Sequence, residues 1–242
     1  MSNETDAHPA HPAHAPHAVV TGSSGGIGRA IASHLLDQGW RVSGLDLAAP
    51  TLAHAHFAHV AVDLCNADAI AHATGALEDA DALVHAAGVL RVGPLGALDH
   101  AGGELMWRLH VDAATRLADA LVPAMAARGR GRVVFVGSRV AQGLPGRGQY
   151  AATKAALIAL ARSWAAEVAA QGVTVNVVSP GATQTSMLQD PARAASAPRL
   201  PPIGRLIQPE EIAALVAFLL SAEAAAIIGQ DLAICGGASL HR

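Results

Sequence analysis

The sequence of 242 residues predicts a doubly wound α/β fold, a mainly parallel seven-stranded sheet flanked by helices. Three observations lead there. From Ala18 onward, short β-branched runs alternate with longer helical stretches. Six of the seven short runs are nearly all apolar, as strands covered by helices on both faces must be. The stretches between them are rich in alanine, which lets a helix lie close on a sheet.

Taken in order, the expected strands are Ala18–Thr21, Val42–Leu47, His59–Leu64, Asp81–His85, Arg132–Gly137, Val173–Val178 and Asp231–Ile234. The expected helices are Ile27–Gln38, Ala67–Leu77, Ala101–Ala127, Gln149–Ala170 and Pro209–Ser221. No internal repeat or linker interrupts the pattern, so residues 18–242 are expected to form one domain. Residues 1–17 differ. His8, His11, His14 and His17 recur every third position among Ala and Pro, a composition that prevents a helix and buries nothing, so a disordered tail is expected. Imidazoles so spaced also suggest a transition metal. No carboxylate or Cys between them completes a site, however, and ordering a floppy chain costs entropy, so no metal is expected.

Composition excludes several classes of function. Sixteen Lys plus Arg against 19 Asp plus Glu leave no basic excess for a nucleic-acid backbone. The positive mean hydropathy comes from alanine, and no run approaches the roughly 18 apolar residues a membrane span needs. The first residues offer neither a basic start nor an apolar stretch of a secretory signal, so a cytoplasmic protein is expected. Cys65 and Cys235 form no CxxC pair and read as reduced packing residues.

The first strand runs into Thr21-Gly22-Ser23-Ser24-Gly25-Gly26-Ile27-Gly28 and then a helical pattern. Glycines let the backbone turn sharply and approach a pyrophosphate with no Cβ in the way, while the helix N-terminus presents free N–H groups. Gly22, Ser24, Gly26, Ile27 and Gly28 are therefore candidate dinucleotide contacts. An ordinary strand-to-helix turn is the alternative, but the turn opens a βαβ unit, as the binding mechanism requires. Asp46 ends the second strand, eighteen residues after Gly28. An acid there accepts hydrogen bonds from the adenosine ribose and repels a 2′-phosphate, selecting NAD over NADP. Its neighbours Gly44, Leu45, Leu47 and Ala48 supply no cation to reverse that choice. A plain surface acid at a strand end is the competing reading. Asp63, expected to close the third strand before Leu64, is a similar candidate for the adenine end.

The chain holds one tyrosine, Tyr150, and one lysine, Lys154; its other fifteen basic residues are arginines. A separation of four puts both side chains on one helix face. A single Lys among arginines suggests work for a compact ammonium that can shift its pKa.

TGSSGGIG, the strand-end Asp46, His85-Ala86-Ala87-Gly88, Ser138, YAATK at 150–154 and SPGATQT at 179–185 together resemble the short-chain dehydrogenase/reductase family over roughly residues 18–239. The resemblance implies a Rossmann fold, a nicotinamide cofactor and a secondary alcohol or ketone as substrate. Tyr150 would be the general acid/base, Lys154 would favour the phenolate and hold the nicotinamide ribose, and Ser138 would hydrogen-bond the substrate oxygen. Ala87, Gly88, Leu64, Pro180, Gly181, Thr183 and Thr185 would complete the cofactor site, the threonines having loop or helix capping as their alternative. It further implies a homotetramer, for which the small-residue faces of the helices Ala101–Ala127 and Gln149–Ala170 are suited.

Three features depart from the family pattern. HAAG replaces NNAG after the fourth strand. His110, thirteen residues before Pro123, stands where the family has a proton-relay Asn, and would either continue the relay, with titration near pH 6.5, or simply pack. The interval from Ser138 to Tyr150 is one residue short, which Gly143, Pro145, Gly146 and Gly148 can absorb. Ser186–Leu206 reads as a lid over the substrate or as a surface loop. Leu90, Val92, Leu95, Leu144 and Met187 are expected to line an apolar pocket, with Arg91, Arg139 and Arg147 near enough to meet a substrate carboxylate. AAGVLRVG at 86–93 is similar to 2,3-dihydro-2,3-dihydroxybenzoate dehydrogenases. A 3-oxoacyl-carrier-protein reductase is a further enzyme reading, which Asp46 counts against because those reductases usually take NADPH. A dinucleotide-sensing or scaffolding protein is the non-enzyme reading.

Overall fold

The computed structural model describes residues 15–189 and 200–240. The histidine tail therefore falls outside the described residues up to His14, as does 190–199 of the expected lid.

All seven strands form, in one sheet that is parallel throughout: β1 (His17–Thr21), β2 (Arg41–Asp46), β3 (Phe57–Ala61), β4 (Ala82–His85), β5 (Gly131–Val136), β6 (Val173–Pro180) and β7 (Asp231–Ile234), in the order β3-β2-β1-β4-β5-β6-β7. The helices are α1 (Gly26–Asp37), α2 (Ala67–Thr74), α3 (His100–Trp107), α4 (Ala113–Ala127), α5 (Gly148–Val168) and α6 (Pro209–Leu220). β1 and β6 are buried along their whole length; β1 carries no polar alternation, whereas the alternating Thr174 and Asn176 of β6 are buried too, the Asn176 amide donating to the Ile227 carbonyl at 2.7 Å and accepting the Gln230 N–H at 2.9 Å. Successive side chains instead feed two different cores. Val19, Leu83, Val133 and Phe135 pack with Leu117, Leu121 and Leu157 on one face, while Val20, Val84 and Val134 pack with Ile31, Leu35 and Val216 on the other. The chain reverses its direction of winding between β1 and β4, and in such sheets the crevice beyond the strands' carboxyl ends at that point receives ligands.

Most boundaries shift by one to three residues, and three differences have a clear physical reason. β1 starts one residue early, at His17, because the ring is satisfied inside the protein: Nδ1 lies 3.0 Å from Asp79 Oδ1 and Nε2 2.9 Å from Ser43 Oγ. β3 covers Phe57–Ala61 rather than His59–Leu64. It pairs with β2 alone, and its last residue faces Asp46, the last of β2. Asp63 thus sits beyond the strand, where its Oδ1 accepts the Cys65 N–H at 2.9 Å. The long helix expected over Ala101–Ala127 is divided by one π-helical turn, Arg108–Asp112, in which the Ala113 N–H reaches back five residues to the Arg108 carbonyl. Within that turn the Leu109 carbonyl accepts a bond from the buried His85 ring, Nε2 at 3.1 Å.

Candidate active site

The glycine turn joins β1 to α1 at the crevice. Gly22 has φ +68°, and a Cβ there would lie 2.9 Å from the Ala87 Cα; a Cβ on Gly28 would stand 2.2 Å from the Gly22 carbonyl oxygen. Glycine is thus required for the turn to close on itself and on the segment after β4. A Cβ on Gly25, by contrast, would meet nothing within 4 Å. Gly25 is also the N-cap of α1, with no side-chain cap and no acid in the first turn, so the first N–H groups keep their capacity for an anion. This open, uncapped cradle fits a dinucleotide pyrophosphate.

Asp46 anchors one end of the cleft. Its Oδ2 accepts the Ser24 N–H and its Oδ1 the Ala48 N–H, both at 2.9 Å, while Ser24 Oγ donates to the Ala48 carbonyl at 3.1 Å. The acid therefore ties the glycine turn to the loop after β2. A carboxylate has about four lone-pair sites, so it retains room for ribose hydroxyls. Asp63, Leu64 and the half-buried Cys65 line the same end. Cys65 is therefore a cleft residue, whereas Cys235 is buried beside Ser239 Oγ at 3.1 Å.

At the opposite end, Ser138 follows β5 and caps a 3₁₀ turn, Arg139–Gln142. Its Oγ accepts the Val140 N–H at 3.1 Å, which leaves the hydroxyl hydrogen available for donation. Tyr150 and Lys154 stand on the first turns of α5. The Lys154 side chain is 4% exposed and its ammonium lies 5.8 Å from the centre of the Tyr150 ring. Nζ donates one hydrogen bond, to the Val136 carbonyl at 2.8 Å, and burial pushes its pKa down to about 7.

His110 lies behind this pair. The Val89 N–H donates to Nε2 at 3.0 Å, so Nδ1 carries the proton and donates to Thr153 Oγ1 at 2.9 Å; Thr153 in turn donates to the Tyr150 carbonyl at 2.9 Å. Both ring nitrogens are thus engaged within the protein, and the ring packs edge-on to Tyr150 with centroids 5.7 Å apart. Burial first, then the neighbouring Lys154 ammonium, holds the imidazole well below its ordinary pKa. That direction runs against the titration near pH 6.5 expected from the sequence and favours the packed alternative. His85 behaves alike. Its Nδ1 meets Thr21 Oγ1 at 3.0 Å, that oxygen accepts the Ala86 and Ala87 N–H groups at 3.0 Å each, and burial lowers the ring to about 3. HAAG thus carries a working hydrogen-bond network in place of the family's asparagines.

Thr185 packs near Gly26, and Thr183 Oγ1 donates to the Gly181 carbonyl at 3.1 Å. A Cβ on Gly181 would come within 2.9 Å of the Cys235 Cα, so this glycine lets the chain after β7 approach. Every candidate residue except His110 lines one cleft of about 1250 Å³. The expected apolar wall is partly different. Leu90, Leu144 and Met187 line the cleft and are joined by Leu105 and Leu109, but Val92 and Leu95 do not, Leu95 being 93% exposed. Arg139 and Arg147 line it; Arg91 turns away, its Nη1 donating to its neighbour's carbonyl, Leu90, at 3.1 Å. Thr21 and Thr153 gave no signal in sequence, because their partners His85 and His110 come from other elements.

A family profile described as enoyl-(acyl carrier protein) reductase matches residues 22–239. A solved short-chain dehydrogenase/reductase family protein superposes with a TM-score of 0.84 at 34% identity, over 93% of this chain and 98% of its own. The chain belongs to the short-chain dehydrogenase/reductase family. A second member, the ligand-free aldohexose dehydrogenase of Thermoplasma acidophilum, gives a TM-score of 0.87 at 26% identity, covering 95% of this chain and 96% of that one. Among curated relatives, the 3-oxoacyl-[acyl-carrier-protein] reductase of Vibrio cholerae is 46% identical over 126 residues, 50% of this chain and 51% of the relative. Dehydrogenase/reductase SDR family member 4 of Bos taurus is 38% identical over 138 residues, 55% of this chain and 50% of its own length. The chain thus spans about half the length of these curated relatives in the matched regions. Among the described residues no helix is long and apolar enough to cross a membrane.

Proposed function

We propose that the protein is an NAD(H)-dependent oxidoreductase that interconverts a secondary alcohol and a ketone on a small, largely apolar or cyclic substrate. The observation that carries this reading is the placement of Tyr150 and Lys154, the single tyrosine and single lysine of the chain, on one face of α5 and in the same cleft as the glycine turn. When bound, the nicotinamide supplies the acceptor or donor of hydride. The uncapped end of α1 and the glycine turn hold the pyrophosphate, and Asp46 orients the ribose. Ser138 donates its hydroxyl hydrogen to the substrate oxygen, which gains negative charge as the reaction proceeds. In the oxidative direction Tyr150 takes the hydroxyl proton while the carbon-bound hydrogen leaves with its electron pair; in reduction both transfers reverse. Lys154 has two N–H donors beyond the one given to Val136, and they serve the ribose and the phenolic oxygen.

Asp46 supports NAD over NADP, since the charged residues lining that end of the cleft are Asp46 and Asp63, both acids. The similarity to the Vibrio cholerae reductase favours reduction of a 3-oxoacyl carrier-protein thioester as the second reading. Absorbance assays with NADH and NADPH over a panel of ketones, alcohols and 3-oxoacyl thioesters separate the two. Tyr150→Phe should lower turnover at least ~10²-fold while NADH still binds; an active Tyr150→Phe enzyme refutes the assignment. We also propose a cytoplasmic homotetramer. Two free cysteines support the compartment, and small exposed or half-exposed residues on α5, among them Ala152, Ala156 and Ala159, support close helix packing between subunits. Light scattering that finds a monomer refutes the oligomer.

A further inference from the structure

Charge divides the cleft into two unlike ends. Among the described residues its lining acids, Asp46 and Asp63, sit at the adenosine side, whereas Arg139, Arg147 and Lys154 line it around Ser138 and Tyr150, where no described acid does. Such a concentration of one sign between apolar walls raises the local potential and favours an anion. Lys154 is committed to the Val136 carbonyl and to the chemistry. Arg139 is different. It is half-buried, it follows Ser138 directly on the 3₁₀ turn, and its guanidinium makes no hydrogen bond or ion pair among the described residues. The turn that carries it is pinned at its start by the Val140 N–H on Ser138 Oγ and the Ala141 N–H on the Ser138 carbonyl, the latter at 2.9 Å. A cleft-lining arginine next in the chain to the residue that receives the reacting oxygen, and given no partner among the described residues, is suited to a planar anion on the same ligand.

We propose that the substrate carries a carboxylate, read by Arg139, in addition to the alcohol or ketone that reacts: an oxo or hydroxy acid whose apolar body contacts Leu90, Leu144 and Met187. This rests on the oxidoreductase reading for the position of the reacting oxygen, but the carboxylate site is testable without turnover.

The test is a ligand-observed NMR titration of the full-length protein with cyclohexanecarboxylate and with cyclohexanecarboxamide, which have the same ring with and without the charge. Each is run with and without saturating NADH. A charge-assisted hydrogen bond predicts that the carboxylate binds about 10- to 100-fold more tightly than the amide, and that Arg139→Gln brings the ratio close to one while Arg139→Lys keeps part of it. General damage to the cleft would weaken both ligands and preserve the ratio. Equal binding of the two ligands to the unaltered protein overturns the proposal, and so does a ratio unchanged in Arg139→Gln. A loss of NADH affinity in Arg139→Gln that matches the loss of carboxylate binding also overturns it, by making Arg139 a cofactor contact. Failure of NADH to bind the unaltered protein refutes the oxidoreductase reading instead, and the carboxylate-to-amide ratio still decides the subsite.

Discussion

Alkaline pH should stabilise the cofactor-free protein through one side chain. Lys154 is buried, faces the His110 and His85 imidazoles and finds a carbonyl but no carboxylate, so its pKa falls from 10.5 to about 7. The unfolded chain holds this proton up to about pH 10.5, whereas the folded protein releases it near 7. Between those values the unfolded state binds more protons, and stability climbs with pH. As pH falls the gain is lost, fully so below about 7. One proton corresponds to about 1.4 kcal/mol per pH unit, which gives about 2 to 3 kcal/mol between about pH 7.5 and 9.5. For a domain of this size that is a rise in Tm of about 5 to 10 °C. Thermal scans of the unaltered protein and of Lys154→Met across this range measure it, because the variant keeps every other titrating group. The two Tm curves should diverge by that amount. Parallel curves would show that Lys154 is solvated or paired in solution, and the low pKa would be wrong.

Other perturbations follow from the same geometry. Asp46→Ala removes the acceptor of two backbone N–H groups as well as the proposed ribose ligand, so NADH affinity should fall about 10-fold and discrimination against NADPH should relax; unchanged discrimination removes Asp46 from the ribose site. Gly28→Ala places a Cβ 2.2 Å from a backbone oxygen, and denaturant melts should show a loss of about 1 to 3 kcal/mol together with weakened NADH binding. His110→Ala strands the Val89 N–H and releases Thr153, costing about 2 to 4 kcal/mol of stability and lowering kcat. Because the ring is held neutral, any step in kcat near pH 7 should belong to Lys154 and persist in His110→Asn, and a step that vanishes in that variant would refute the neutral, bonded imidazole.

Much of this was legible in the chain. β-branched runs free of polar alternation marked strands covered on both faces, since a sheet buried twice leaves no solvent-facing positions. Gly22 and Gly28 marked a turn with no space for side chains, and the four-residue spacing of Tyr150 and Lys154 marked a shared helix face, because these constraints are local. The outer strand was less legible: β3 ends where β2 stops offering partners, a limit set by pairing between strands and not by the residues of β3.

The amino-acid order by itself determined the architecture and singled out the glycine cradle and the Tyr150–Lys154 pair as candidates, because period, glycine placement and short spacings act within one or two elements. The tertiary structure decided what depends on contact between distant segments. It turned His110 from a titratable relay candidate into a bonded, neutral spacer between Val89 and Thr153, and it opened the long helix at a π turn whose Leu109 carbonyl meets His85. It also sent Leu95 and Arg91 away from the cleft and left Arg139 lining it, next to Ser138 in the chain, with no partner among the described residues. Burial and charge neighbourhood are properties of the assembled core, and no spacing along the chain encodes them.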